Sequence, residues 1–103
     1  MPANNIIKRI RIINIISETP DAKTFVLEPL DGWEPDYQAG QFVTLVFNTR
    51  HGEKRRSYSI SSSPLLKEPL SITIKKIDNG EFSRLLIYKS EIGDILFSSG
   101  ISG

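Results

Sequence analysis

Apolar residues recur with a period of two along most of this chain, and the period switches to that of a helix only once, between Glu81 and Ser90. That pattern restricts the fold to small β architectures with a single helical insertion. Residues 6–16 are rich in isoleucine, whose branched Cβ favours strands. Ile10 and Ile12 share one face and Ile13 and Ile15 the other, a slip in phase that predicts a bulge or burial on both sides. Glu18–Asp21, with Pro20, is a turn. Ala22–Glu28 is a second strand with Phe25 and Leu27 inward. Pro29, Gly32, Pro35 and Gly40 mark a long loop, in which Trp33 either packs on the body or covers a ligand, packing being the simpler reading. Gln41–Asn48 is a third strand, with Val43, Leu45 and Phe47 on one face.

A polar connection at 49–53 leads to a fourth strand, Lys54–Ile60, ended by Ser61–Pro64. The fifth, Leu70–Ile77, turns Leu70, Ile72 and Ile74 inward and Ser71, Thr73 and Lys75 outward. Asp78–Asn79–Gly80 breaks it. Phe82, Leu85, Leu86 and Lys89 then fall at helical spacing, so Glu81–Ser90 is a short helix, with Asp78 or Asn79 as its cap. Gly93–Asp94 is a turn, and Ile95–Ser98 is a sixth strand. The fold expected is all-β: a six-stranded antiparallel Greek-key β-barrel with one short capping helix.

A length of 103 residues allows one domain. With no cysteine there is no disulfide, thiolate nucleophile, iron–sulfur cluster or Cys-bound zinc, and one histidine argues against a metal site. His51 lies among turn formers and reads as a solvated loop residue. A net charge of +1 points to neither nucleic acid nor an acidic substrate. No signal peptide and no apolar run of membrane-spanning length is present, so a cytoplasmic location is expected.

Two stretches can carry chemistry. In Lys54–Ser63, Arg56 and Tyr58 fall on one face of a strand. Arg offers a planar fork to phosphate oxygens, and Tyr offers a stacking face with a hydroxyl. Spacing alone favours a soluble edge-strand pair over a ligand site. At Asn79–Ser83, a helix start with Gly80 provides N–H groups and the positive dipole end to an anion, and alone it reads as an ordinary helix start. Together the two stretches suit a diphosphate with an attached ring.

Five segments, in order, resemble the ferredoxin–NADP reductase superfamily. Ala39–Gly40–Gln41–Phe42–Val43 is similar to its P-G-Q-F/Y-V segment, with alanine in place of the proline. Arg56–Ser57–Tyr58–Ser59 is similar to its R-x-Y-S/T flavin motif, and Ser71–Lys76 to the strand that follows. Gly80–Glu81–Phe82–Ser83 resembles its G-x-x-S turn, and Gly93–Asp94 its G-D before the last strand. The resemblance implies a barrel binding FAD on its outside, with FMN the less favoured flavin. It gives Arg56 to the pyrophosphate, Tyr58 to the flavin ring and Ser59 to the neighbourhood of the ring's N5, with Ser57 beside them. Because Ser59 alternates away from Tyr58 in a regular strand, the strand is expected to bend or end there. Backbone groups of Thr73, Ile74 and Lys75 would line the flavin, Lys75 adding charge near it, and Gly80, Glu81, Phe82 and Ser83 would hold the pyrophosphate, with Ser83 donating its hydroxyl.

The resemblance also implies the chemistry: NAD(P)H gives hydride to the flavin, which releases single electrons to ferredoxin, flavodoxin, an iron–sulfur domain or haem. That scheme needs an NAD(P)-binding domain. Gly100–Gly103 resembles the crossing segment into it, so residues 1–103 are expected to be one FAD-binding barrel, a truncated N-terminal half. Two other readings compete. One is a barrel binding single-stranded nucleic acid through Arg50, Lys54, Arg55 and Arg56 with Phe42, Phe47 and Tyr58. The other is a regulatory barrel without flavin.

Overall fold

The computed structural model describes residues 7–76 and 80–103. Six strands, β1 (Lys8–Thr19), β2 (Ala22–Pro29), β3 (Phe42–Thr49), β4 (Gly52–Ser59), β5 (Ser71–Lys75) and β6 (Ile95–Ser102), form one antiparallel sheet. A helix, α1 (Glu81–Lys89), separates β5 from β6. The spatial order is β4-β3-β6-β1-β2-β5, so the return through α1 inserts β6 between β3 and β1, a Greek-key crossing. Inward residues of alternating strands build the core, with Ile10, Ile12, Phe25, Leu27, Val43 and Leu45 each no more than 1% exposed.

The sheet curls toward closure but does not complete it. β4 and β5 are its two edges; among the described residues they are joined at one end, through the Ile60–Ile72 bridge and bonds from Ser61 N–H to the Ser71 carbonyl and from Ser71 N–H to Ser62 Oγ (2.9 Å each). The expected barrel is therefore open along a seam between β4 and β5. α1 closes one end, burying Phe82, Ser83, Leu86 and Ile87. Lys23 Nζ donates to the Ile87 carbonyl at 2.7 Å, tying the last turn of α1 to β2.

Several expectations shift. The phase slip in β1 is a bulge: Ile12 pairs with Leu27 and Asn14 with Val26, which leaves Ile13 unpaired and 42% exposed. β6 runs to Ser102 instead of ending at Ser98. The Ser98 hydroxyl, fully buried, donates to the Thr44 carbonyl (2.7 Å) and accepts the Gly100 N–H (2.9 Å). It thereby carries the strand through an irregularity that the residue types present as a stop. Leu85, grouped by helical spacing with Phe82 and Leu86, is 46% exposed; the buried stripe of α1 includes Ser83, whose hydroxyl donates to the Gly80 carbonyl and not outward to a ligand. Ser71, expected outward, is buried, its hydroxyl donating to the Pro69 carbonyl. Ile77, Asp78 and Asn79, the expected strand end, breaker and cap, lie outside the described residues, as does Ile6.

The long loop is tied down at three points. Arg9 grips Asp31 through two bonds of 2.8 and 2.7 Å, Lys8 Nζ sits 5.5 Å from the Trp33 ring centre, and the Tyr37 hydroxyl meets Ser62 Oγ at 3.0 Å. Trp33 thus packs on the body of the protein.

Candidate functional site

Directly opposed residues of an antiparallel pair share a face. Tyr58 is opposite Val43, Arg56 opposite Leu45, and Lys54 opposite Phe47. Arg56 and Tyr58 therefore stand on the core-facing side of β4, not on the outer wall. They reach solvent because β4 is an edge and the seam beside it is open. Tyr58 packs against the core and is half-buried. Burial pushes its phenol above the ordinary value, against a smaller downward pull from the nearby Arg56 charge.

Arg56 is exposed but not loose. Its guanidinium lies 5.1 Å from the centre of the Phe82 ring, and Nη1 donates to the Arg55 carbonyl at 2.7 Å. Phe82, buried in the first turn of α1, stacks on Phe47 with ring centres 4.3 Å apart and planes 19° from parallel. Among the described residues Arg56 has no carboxylate partner, whereas Arg9, Arg11 and Arg55 are paired with Asp31, Glu28 and Glu53. The stack brings this cation to the first turn of α1, whose cap residue, Gly80, makes no side-chain capping bond. Glu81 is exposed in that first turn.

β5 supplies the far side of the seam. Ile72 and Ile74 are bonded across to Phe25 and Lys23, as the flanking bonds Lys76 N–H to Asp21 and Leu27 N–H to Leu70 require. The alternation turns the backbone N–H and C=O of Thr73 and Lys75 away from β2, toward the seam. Their side chains lie on the outer face, where Thr73 bonds Thr24 at 2.8 Å and both border a polar cleft of about 600 Å³ with Ser61 and Ser62.

Arg56 thus meets Phe82 in the first turn of α1, and Tyr58 stands two residues along the same face of β4. Ser57 and Ser59 do not join Tyr58. Ser57 faces the opposite side, where its hydroxyl meets Thr44 Oγ1 at 2.9 Å, and Ser59 is opposite Phe42. β4 ends at Ser59, as expected, but without a bend, since Ile60 continues the alternation into the core. Ile74 is buried and contributes backbone only. His51 is exposed in the β3–β4 turn. The residue that sequence reasoning left out is Phe47: its inward phase was legible, but its stacking on Phe82, 35 positions away, depends on how α1 docks.

Residues 9–103 match the family model described as an oxidoreductase FAD-binding domain. The chain is 36% identical over its whole length to the NADH oxidoreductase HCR of Escherichia coli K12, of which it covers 31%. It is 32% identical over 98 residues to the ferredoxin reductase component of a 3-ketosteroid-9-alpha-monooxygenase from Mycolicibacterium smegmatis, covering 89% of this chain and 28% of that one. The fold superposes on a ferredoxin NADP+ reductase from Neisseria gonorrhoeae with bound FAD and NADP, with a TM-score of 0.74 and 28% identity over 94% of this chain and 38% of that one. The chain spans about a third of the length of the relatives it matches. It belongs to the oxidoreductase FAD-binding domain family, with the fold of the ferredoxin–NADP reductases.

Proposed function

We propose that residues 1–103 are the FAD-binding domain of an NAD(P)H-dependent flavin oxidoreductase that passes electrons to a one-electron carrier such as ferredoxin, flavodoxin or an iron–sulfur domain. The observation that carries this reading is the Arg56 guanidinium, free of any acid among the described residues and held at the N-terminal turn of α1 beside half-buried Tyr58. A cation, a helix start with a glycine cap, an aromatic face and an open strand edge fit a ring joined to a diphosphate.

FAD supplies the acceptance of hydride and the release of single electrons. The protein's own residues bind and orient it. Arg56 and the N–H groups at Gly80–Ser83 hold the pyrophosphate, Glu81 and Phe82 lying within that turn. Tyr58 provides its ring face, and backbone groups of Thr73, Ile74 and Lys75 line the other side of the seam. Ser57 acts from the outer face by fixing β4 to β3 through Thr44. Ser59, at the end of β4, would have to turn from the face it shares with Phe42 for its hydroxyl to lie near the reacting ring atom. An NAD(P)-binding domain and an acceptor protein complete the scheme, and the relatives' greater length supports a further domain. A reducing cytoplasm suits a chain with no cysteine. Among the described residues no helix is long and apolar enough to cross a membrane.

Titration of FAD fluorescence tests the site. Arg56→Ala combined with Tyr58→Ala is expected to weaken FAD binding at least about a hundredfold, since a charge-assisted bond and a stacking face are lost together. The double variant should melt at a lower temperature, because Tyr58 packs against the core, yet remain folded under the titration conditions. Undiminished binding by the folded double variant refutes the assignment.

A further inference from the structure

We propose that the side chain of Phe82, seated on Phe47, has a positioning role: its ring holds the Arg56 guanidinium at the helix start, and this pre-organisation strengthens flavin binding without the ring itself touching the cofactor. The proposal rests on the reading of Arg56 as the pyrophosphate ligand.

Three observations carry it. Phe82 is only 5% exposed, so its ring is a floor and not a free contact surface. Its orientation is fixed by the stack on Phe47 at 4.3 Å. The Arg56 guanidinium lies 5.1 Å from that ring, with no acid among the described residues to draw it elsewhere. An exposed arginine ordinarily samples many rotamers, and ordering it on binding costs free energy. A carboxylate could order it too, but would neutralise the charge that an anionic ligand needs. An aromatic face attracts the cation through its quadrupole and leaves the outward N–H groups unsatisfied. Arg56 comes from β4 and Phe82 from α1, so the contact also ties the two halves of the site together.

The test is a double-mutant cycle on FAD affinity, read by fluorescence quenching in the full chain. Phe82→Leu should weaken FAD binding about three- to tenfold with Arg56 present, and by less than about 1.5-fold in the Arg56→Met background. Phe82→Tyr, which retains a ring face, should restore most of the loss. Progressive fluorination of the Phe82 ring drains the quadrupole at nearly constant size, so affinity should fall stepwise while the melting temperature holds. That series also decides the matter if Phe82→Leu does not fold. An equal loss in both Arg56 backgrounds, or no response to fluorination, overturns the proposal while leaving Arg56 as a ligand. Failure of the unmodified chain to bind FAD overturns the functional reading and the proposal with it.

Discussion

Tyr58 shows how one side chain serves packing and chemistry together. Burial against the core raises its phenol pKa, so the folded chain prefers the protonated form. The unfolded chain releases this proton first, near pH 10, and binds fewer protons above it. Stability contributed by Tyr58 is therefore complete below about pH 10 and declines as the pH rises from there toward the folded-state value. Thermal melts from pH 9 upward should fall more steeply for the parent than for Tyr58→Phe, and parallel curves would contradict the burial argument. Ser98 is the structural counterpart. Its buried hydroxyl serves the Thr44 carbonyl and the Gly100 N–H. Ser98→Ala leaves both without that partner and should cost about 1–3 kcal/mol, seen as a drop of several degrees in melting temperature. Arg56 and Tyr58 were legible as a same-face pair from their spacing. Their place on the core-facing side was not, because it depends on the register of β4 against β3.

Among the elements, α1 carries the sharpest conflict between stability and binding. Gly80 caps it with no side-chain bond, at a φ of −87° that any residue tolerates. Gly80→Asp should therefore add a capping carboxylate and stabilise the fold by a few tenths to about 1 kcal/mol. The same carboxylate would occupy the anion position and repel the pyrophosphate, so FAD affinity should fall at least about tenfold. Calorimetry and FAD titration of the single variant check both signs; a gain in affinity would move the pyrophosphate elsewhere. Helical period located α1, yet it grouped the exposed Leu85 with the buried Phe82 and Leu86 and left Ser83 out. The stripe at 82, 83, 86 and 87 includes a serine whose polarity is met within the helix itself.

For the molecule as a whole, incomplete closure is the consequential feature. A fully closed barrel would bond the β5 edge to β4 along its length; here, among the described residues, the junction is confined to Ser71 and Ile72, and the edge beyond them is not bonded to β4. By NMR, the amides of Ile72 and Ile74, bonded to β2, should exchange slowly with or without flavin. The Lys75 amide, which faces the seam, should exchange quickly in the free chain and become protected when FAD is added. Equal protection in both states would remove the seam as the flavin position.

Alternation, turn residues and one change of period were enough to read the number and order of elements and most of the core, because each is set by neighbours within a few positions. The Arg56–Ser59 and Gly80–Ser83 segments marked the two parts of the candidate site through their resemblance to the family's ordered motifs, where spacing alone favoured an edge strand and an ordinary helix start. The passage of β6 through Ser98 and Gly100, the open seam, and the stack of Arg56 on Phe82 on Phe47 were beyond that reach. Each depends on residues far apart in the chain, and their pairing is settled only when strand register and helix docking are fixed together.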